Sequence, residues 1–295
     1  VGSVALDTVE TPAGRVIEAL GGSATYFSLA ARHYAPVRIV AVVGTDFPQE
    51  HIELLRSRSV MIDGLKVEPG ETFRWSGRYS HNLDECVTLD TRLNVFGAFR
   101  PHLPPSCQDE DVVFLANIDP DLQLDVLRQV RCPWLTAMDT MNFWIQSKRD
   151  RVIEVMRAVD VVLINESELR LLTGMHNIVA AARELLALGP RALIVKKGEH
   201  GAVAMMDGTY FAVPAYPLDI VRDPTGAGDS FAGAFVGSLA RAGELTPDTL
   251  RQSTVRGSVI ASFTVEDFSV RRLLCLNDHE LERRYEDFRI FSRFD

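Results

Sequence analysis

The sequence predicts an α/β fold built on a mostly parallel sheet covered by helices. Short β-branched apolar runs recur along it, at 37–43 (VRIVAVV), 112–115, 134–138, 161–164 and 192–195. Segments of helical character separate them, and repeated βα units of this kind imply a parallel sheet with helices packed on it. The chain has 295 residues, a length at which folding hides about 75% of the unfolded surface.

Taken in order, 37–43 reads as a buried strand because it is short, apolar and bounded by turn residues. Asp46 is placed to cap the helix that follows, with Pro48 in its first turn. From 65 to 99 the rhythm breaks. No helix is expected there, only two strand segments, 72–79 and 85–96, joined by a turn at His81-Asn82-Leu83-Asp84. In the first, Phe73, Trp75, Gly77 and Tyr79 fall on one face, and Arg74, Ser76 and Arg78 on the other. Such a ribbon is either a hairpin packed on the domain or a lid over a ligand cleft. The last third is helical: 230–242 is rich in Ala, Gly and Phe and should pack closely. Thr246 with Pro247 caps a second helix reaching about Phe263, and 277–294 is a charged amphipathic surface helix. No repeat, linker or low-complexity stretch divides the chain, so one domain is expected over 1–295.

The net charge of −9 excludes a general nucleic-acid binder, which needs a basic face. It leaves room for an anionic ligand, because backbone N–H groups and a metal ion can make a local positive site. The four cysteines, Cys86, Cys107, Cys132 and Cys275, show neither CxxC pairing nor zinc spacing. They read as reduced, mostly buried thiols in a reducing compartment. No run of eighteen apolar residues and no signal-peptide pattern occurs, and a cytoplasmic location is expected. The start at Val1-Gly2-Ser3-Val4, without Met, suggests that a few native residues precede it.

The strongest chemical signal is Asp223-Pro224-Thr225-Gly226-Ala227-Gly228-Asp229-Ser230-Phe231. Pro224 keeps the chain out of helix, the glycines permit tight geometry, and a small-residue helix follows at once. Successive N–H groups and the positive helix end then converge where phosphate oxygens are favoured. A carboxylate at the same spot reads as a base for an attacking hydroxyl, with Gly226, Ala227 and Gly228 stabilising charge on a transferred phosphoryl group. The alternative is that Asp229 only caps the helix. No GxxxxGK[ST] loop exists, and Phe231 stands where a dinucleotide fingerprint needs its third glycine, which disfavours an NAD-dependent oxidoreductase.

The segment DPTGAGDSFAGAFV resembles the C-terminal signature of the PfkB (ribokinase-like) family of sugar and nucleoside kinases. Gly21-Gly22, the small-residue helix at 23–34 and VVGTDFP at 42–48 are similar to its N-terminal signature. Asn165-Glu166-Ser167-Glu168 fits its N-x-x-E motif directly after a strand. The resemblance implies a ribokinase-like three-layer α/β/α sandwich with a mostly parallel central sheet and a small β-sheet lid drawn from about 8–20 and 64–99. It implies that Asp229 is the catalytic base and 226–228 the anion hole. Asn165 and Glu168 would organise Mg2+, largely through water, as suits a hard cation that keeps much of its hydration; otherwise they are a strand end and a helix cap. Asp7 would grip substrate hydroxyls, where it is otherwise a turn residue, and Gly21-Gly22 would form the hinge beside the substrate. Lys197, Gly198 and Gly201 lie where relatives build the nucleotide pocket, although the usual threonine-leucine-glycine reads Lys196-Lys197-Gly198. Asp223 and Thr225 match residues that help hold a monovalent cation, K+, in several relatives.

Two departures bear on the substrate. Ribokinase-type members carry lysine and asparagine after the double glycine, where Ser23 and Tyr26 stand here; Tyr26 either stacks on a sugar or base or fills space. Asp139-Thr140-Met141-Asn142 ends another core strand at the site-facing edge and adds either a polar substrate contact, with Asn142 the candidate, or a structural cap. The expected activity is ATP-dependent phosphorylation of a primary hydroxyl on a small sugar, or on a nucleoside as in the adenosine-kinase branch. The competing reading is a non-catalytic nucleotide or sugar sensor of the same fold. A homodimer through the lid is expected if the ribbon exposes an apolar face.

Overall fold

The computed structural model describes residues 1–83 and 85–293. Asp84 of the expected turn, Phe294 at the expected end of the last helix, and Asp295 lie outside the described residues. Among the described residues the strands are β1 (Ala5–Thr11), β2 (Gly14–Gly21), β3 (Val37–Gly44), β4 (Val60–Glu68), β5 (Arg74–Tyr79) and β6 (Cys86–Arg92). They continue as β7 (Val112–Leu115), β8 (Leu135–Met138), β9 (Val161–Asn165), β10 (Ala192–Lys196), β11 (Ala202–Met206) and β12 (Thr209–Val213).

The large sheet runs β12-β11-β10-β9-β8-β7. Strands β7 to β10 are parallel, and β11 and β12 close it antiparallel. The parallel pair β3-β4 is tied to β7 through residues 1–3. The Val1 amino group donates to the Phe114 carbonyl (2.9 Å), Ala116 N–H to Val1 (2.9 Å), and Gly2 N–H to Val40 (3.2 Å). The period-2 alternation of the buried runs then sorts side chains to two faces. Phe114, Ala137, Leu163 and Ile194 face the helices Ser23–Ala31, Ala227–Ala242, Pro247–Thr264 and Asp278–Phe291. Leu115, Met138, Val162, Ile164 and Val195 face Pro120–Gln129, Arg149–Arg157, Glu166–Thr173 and Ile178–Leu186. The result is the expected three-layer α/β/α sandwich. In the β9–β10 register Asn165 is paired with Lys196, so both strands deliver a polar residue to the same carboxyl edge.

A separate four-stranded sheet has the order β2-β1-β5-β6. Its Val9, Val16, Trp75 and Tyr79 cluster with Phe268 of the main body, which puts Trp75 and Tyr79 on one face as the alternation predicts. A Cβ at Gly77 would lie 2.2 Å from the Trp75 ring, so glycine here lets that ring lie over the strand.

Several expectations are corrected. Asp46 caps no helix: Gln49–Ser57 begins after Pro48, and Asp46 instead accepts from the Thr72 N–H and hydroxyl, both at 2.7 Å, and pairs with Arg74. A local cap loses here to a cross-link between loops distant in sequence. Segment 64–68 pairs with β3 in the main body rather than entering the small sheet. The second ribbon strand stops at Arg92, and a 3-10 turn, Asn94–Ala98, follows where none was expected. Strand β1 runs on past Asp7 to Thr11 through a bulge. All four thiols are unpaired, but only Cys107 is buried. Among the described residues no helix is long and apolar enough to cross a membrane.

Candidate active site

The glycine turn opens the helix Ala227–Ala242, whose N-cap, Gly226, has φ 76° and ψ 1°. Left-handed backbone of this kind favours glycine, and a Cβ there would also lie 2.4 Å from the Tyr26 ring. No side chain caps the helix. Ala227 N–H turns back onto the Pro224 carbonyl at 3.2 Å, whereas the N–H groups of Gly226, Gly228 and Asp229 find no acceptor among the described residues. Asp223 fixes the turn from below: fully buried, it accepts from Thr225 N–H (2.9 Å) and Ser269 N–H (3.3 Å). The outcome is a rigid nest of amides with donors to spare at the positive end of a helix.

Asp229 is half-buried, and its carboxylate accepts no hydrogen bond among the described residues. Burial pushes its pKa up to about 7; the Asp139 carboxylate adds to this and the Lys196 ammonium opposes it. It is therefore not a satisfied cap but a carboxylate held near neutrality, the range that general-base work at ordinary pH requires. Asp7 approaches from β1, with one oxygen accepting from Gly22 N–H at 3.3 Å. Burial lifts it to about 7, the Gly22 hydrogen bond opposing and the Asp223 and Asp229 charges adding. A Cβ on Gly21 would lie 1.9 Å from an Asp7 oxygen, so the double glycine makes room for this carboxylate.

At the sheet edge Asn165 and Glu168 form a reciprocal capping box. The Asn165 side chain accepts from Glu168 N–H (2.8 Å), and Glu168 accepts from Asn165 N–H (2.9 Å). The cap expected as an alternative is therefore real, and it leaves the second Glu168 oxygen uncommitted. Burial, with Asp139 nearby, raises Glu168 to about 7 against the opposing Lys196 charge. Among the described residues no set of three or more acidic, His or Cys side chains is placed to hold a metal ion alone. Free oxygens on Glu168 and Asp229 beside spare amides fit a cation carried mainly by water and phosphate oxygens. Each Asp223 oxygen accepts one N–H group.

The remaining candidates are placed as follows. Tyr26 is 2% exposed with its ring against Gly226, so it fills space beneath the turn and cannot stack on a ligand. Ser23 is exchanged into reciprocal bonds with Ser3, at 3.1 and 3.0 Å, tying helix to strand. Asn142 is exposed at the head of the helix Asn142–Ser147, behind the N-cap Met141, without a side-chain hydrogen bond among the described residues. Lys197, Gly198 and Gly201 form the tight β10–β11 connection: Gly198 and Gly201 have φ 55° and 85°, and Lys197 N–H donates to Gly201 at 2.8 Å. The Thr225 hydroxyl donates to the Tyr79 phenol oxygen at 3.2 Å, joining the small sheet to the turn. One residue with site contacts escaped the sequence reading: Lys196, passed over for its neighbour, which pairs at 2.5 Å with Asp139 of the segment expected to offer a polar contact. The strand period could have found Lys196, since it shares a face with Ala192 and Ile194, which pack toward the glycine helix. A cavity of about 110 Å³ near Phe27, Phe114 and Val236 shares no residue with this site.

Residues 5–276 match the family described as pfkB family carbohydrate kinase. The chain is 31% identical over 247 residues to the cytidine kinase of Thermococcus kodakarensis, covering 82% of this chain and 87% of that one. Its structure superposes on the nucleoside kinase of Methanocaldococcus jannaschii, a member of the ribokinase family, with a TM-score of 0.78, 21% identity and coverage of 97% and 96%. It also superposes on the nucleoside kinase of Burkholderia thailandensis in complex with ADP-inosine, with a TM-score of 0.80, 15% identity and coverage of 97% and 94%. At these identities the two structures establish the fold.

Proposed function

The chain belongs to the pfkB family of carbohydrate kinases, and from that premise we propose that it transfers the γ-phosphoryl group of ATP to a primary hydroxyl of a nucleoside. The single observation that carries the reading is Asp229, a carboxylate without a partner among the described residues, held at a pKa of about 7 beside free helix-end amides. The acceptor hydroxyl gives its proton to Asp229 as its oxygen bonds to the γ-phosphorus. The bond from that phosphorus to the bridging oxygen breaks, and ADP leaves with the electron pair. Amides of Gly226 and Gly228 stabilise the charge on the transferred group. Mg2+ bound with the nucleotide neutralises phosphate charge, and Asn165 and Glu168 are the residues that would hold it, through water. Asp7 grips the acceptor, Lys197, Gly198, Gly201 and Thr225 border the nucleotide, and the small sheet serves as the lid, linked to the turn through Tyr79.

The nucleoside reading is supported by the similarity to a cytidine kinase. The aromatic side chains do not add to it, because Phe73 is stacked on Phe96 and Trp75 is packed under the small sheet. We take the molecule as one domain in the cytoplasm, where its unpaired thiols suit a reducing medium. A homodimer would form through the outer edge of β6, which is exposed along its length. ADP release measured against panels of nucleosides and sugars tests the assignment. Turnover on a nucleoside is expected; turnover only on a sugar would reassign the acceptor. Nucleotide binding with no turnover on any acceptor would leave a sensor instead of an enzyme.

A further inference from the structure

Lys196 ends β10 and is deeply set, its side chain 16% exposed. Burial disfavours its charge, yet Asp139 and Glu168 more than offset this and hold its pKa above the ordinary lysine value. The ammonium carries three donors. One reaches Asp139 at 2.5 Å, and the others meet no acceptor among the described residues. Asp139 is itself 5% exposed and accepts Thr140 N–H at 2.9 Å, so the anchor cannot swing. The nitrogen also lies 3.3 Å from where a Gly228 Cβ would stand, which brings it directly beside the amide nest. A buried cation with spare donors, fixed at the end of a strand and aimed at an anion nest, is more than a structural ion pair.

We propose that Lys196 is a phosphate-binding residue of this enzyme, held in position by Asp139 so that its two remaining donors meet the nucleotide phosphates received by the 226–228 turn. The assignment rests on the kinase reading above and adds to it a contact that the glycine turn cannot make, a full positive charge. A side chain at 228 would bring its Cβ to 3.3 Å from the ammonium, so glycine there leaves the nitrogen room beside the nest. Asp139 is a positioning residue: it acts through Lys196 and touches no substrate.

The test is calorimetric titration of Mg·ATP into the acceptor-free protein, together with KM values for ATP and for the acceptor. Lys196→Met is expected to weaken ATP binding and raise the ATP KM by about 10- to 100-fold, the range for a hydrogen bond to a charged group. The acceptor KM stays unchanged, and Lys196→Arg recovers most of the loss. Because Lys196→Met strands Asp139 without its partner, the double variant K196M/D139N removes both charges and must show the same loss of ATP affinity while folded. Parental ATP affinity in either methionine variant overturns the proposal, even if the pH–rate profile moves, because Lys196 would then act only on Asp229. The two claims fail separately: a parent protein that binds Mg·ATP but turns over no acceptor would reject the kinase reading, whereas lost turnover with retained ATP binding in Asp229→Asn leaves it intact.

Discussion

At Asp229 reactivity and stability are opposed. Its pKa lies at about 7 in the folded protein, above the ordinary aspartate value of about 4. The folded state thus binds a proton that the unfolded chain releases, and the associated stability is fully present below pH 4 and lost as pH rises through 7. Asp7 and Glu168, also at about 7, act in the same direction. Asp229→Asn should therefore melt higher than the parent at pH 8, with the gap closing toward pH 4, a comparison that thermal scans across pH make directly. The same substitution is expected to lower turnover by about 10²- to 10⁴-fold, the usual worth of a general base. In the parent, kcat/KM should fall about tenfold per pH unit below 7, and a flat acid limb would remove Asp229 from the role. Gly21→Ala tests the neighbouring carboxylate. Its methyl would occupy the place of an Asp7 oxygen, so the acceptor KM should rise while ATP affinity is kept.

Elements meet at this site through few contacts, and each can be cut. The Tyr79–Thr225 hydrogen bond is the polar link between β5 and the glycine turn. Tyr79→Phe removes an acceptor worth about 0.5–1.5 kcal/mol, and steady-state kinetics should show an acceptor KM about 2- to 10-fold higher with little change in melting temperature. A variant that melts earlier at unchanged KM would make the contact purely structural. Strand β1 illustrates how elements divide labour. It follows residues 1–3 of the main body, pairs within the small sheet from Ala5 onward, carries Asp7 toward the site just before its bulge, and runs on to Thr11. The isolated sequence around Asp7-Thr8 does not announce this continuation of the strand.

Over the whole molecule, the exposed edge strand is the feature that asks for a partner. Val87 and Leu89, 61% and 49% exposed, lie on the edge strand β6, Leu89 at its bulge, and an exposed edge invites pairing. Sedimentation should find a dimer in the parent, and Val87→Lys with Leu89→Lys should yield a monomer; a monomeric parent would exclude this interface. Nucleotide should also raise the melting temperature, by an amount that grows with the logarithm of ligand concentration over Kd. The acidic surface, with a net charge of −9, makes that binding depend on local amides and Lys196 rather than on the overall field.

Much of this was legible in the residues. Buried parallel strands announce themselves because both faces are apolar, so 112–115 is a strand in sequence and in structure alike. The glycine turn is equally plain, since only glycine tolerates the backbone at 226. What required the folded molecule was every relation between distant segments. Asp46 left its cap for Thr72, Ser23 turned to Ser3, the Tyr26 ring went under Gly226, and Lys196 paired with Asp139. The physical reason is range. Propensity and turn geometry act over a few bonds and are written locally, whereas hydrogen bonds and charge pairs depend on distances that only the closed tertiary structure fixes.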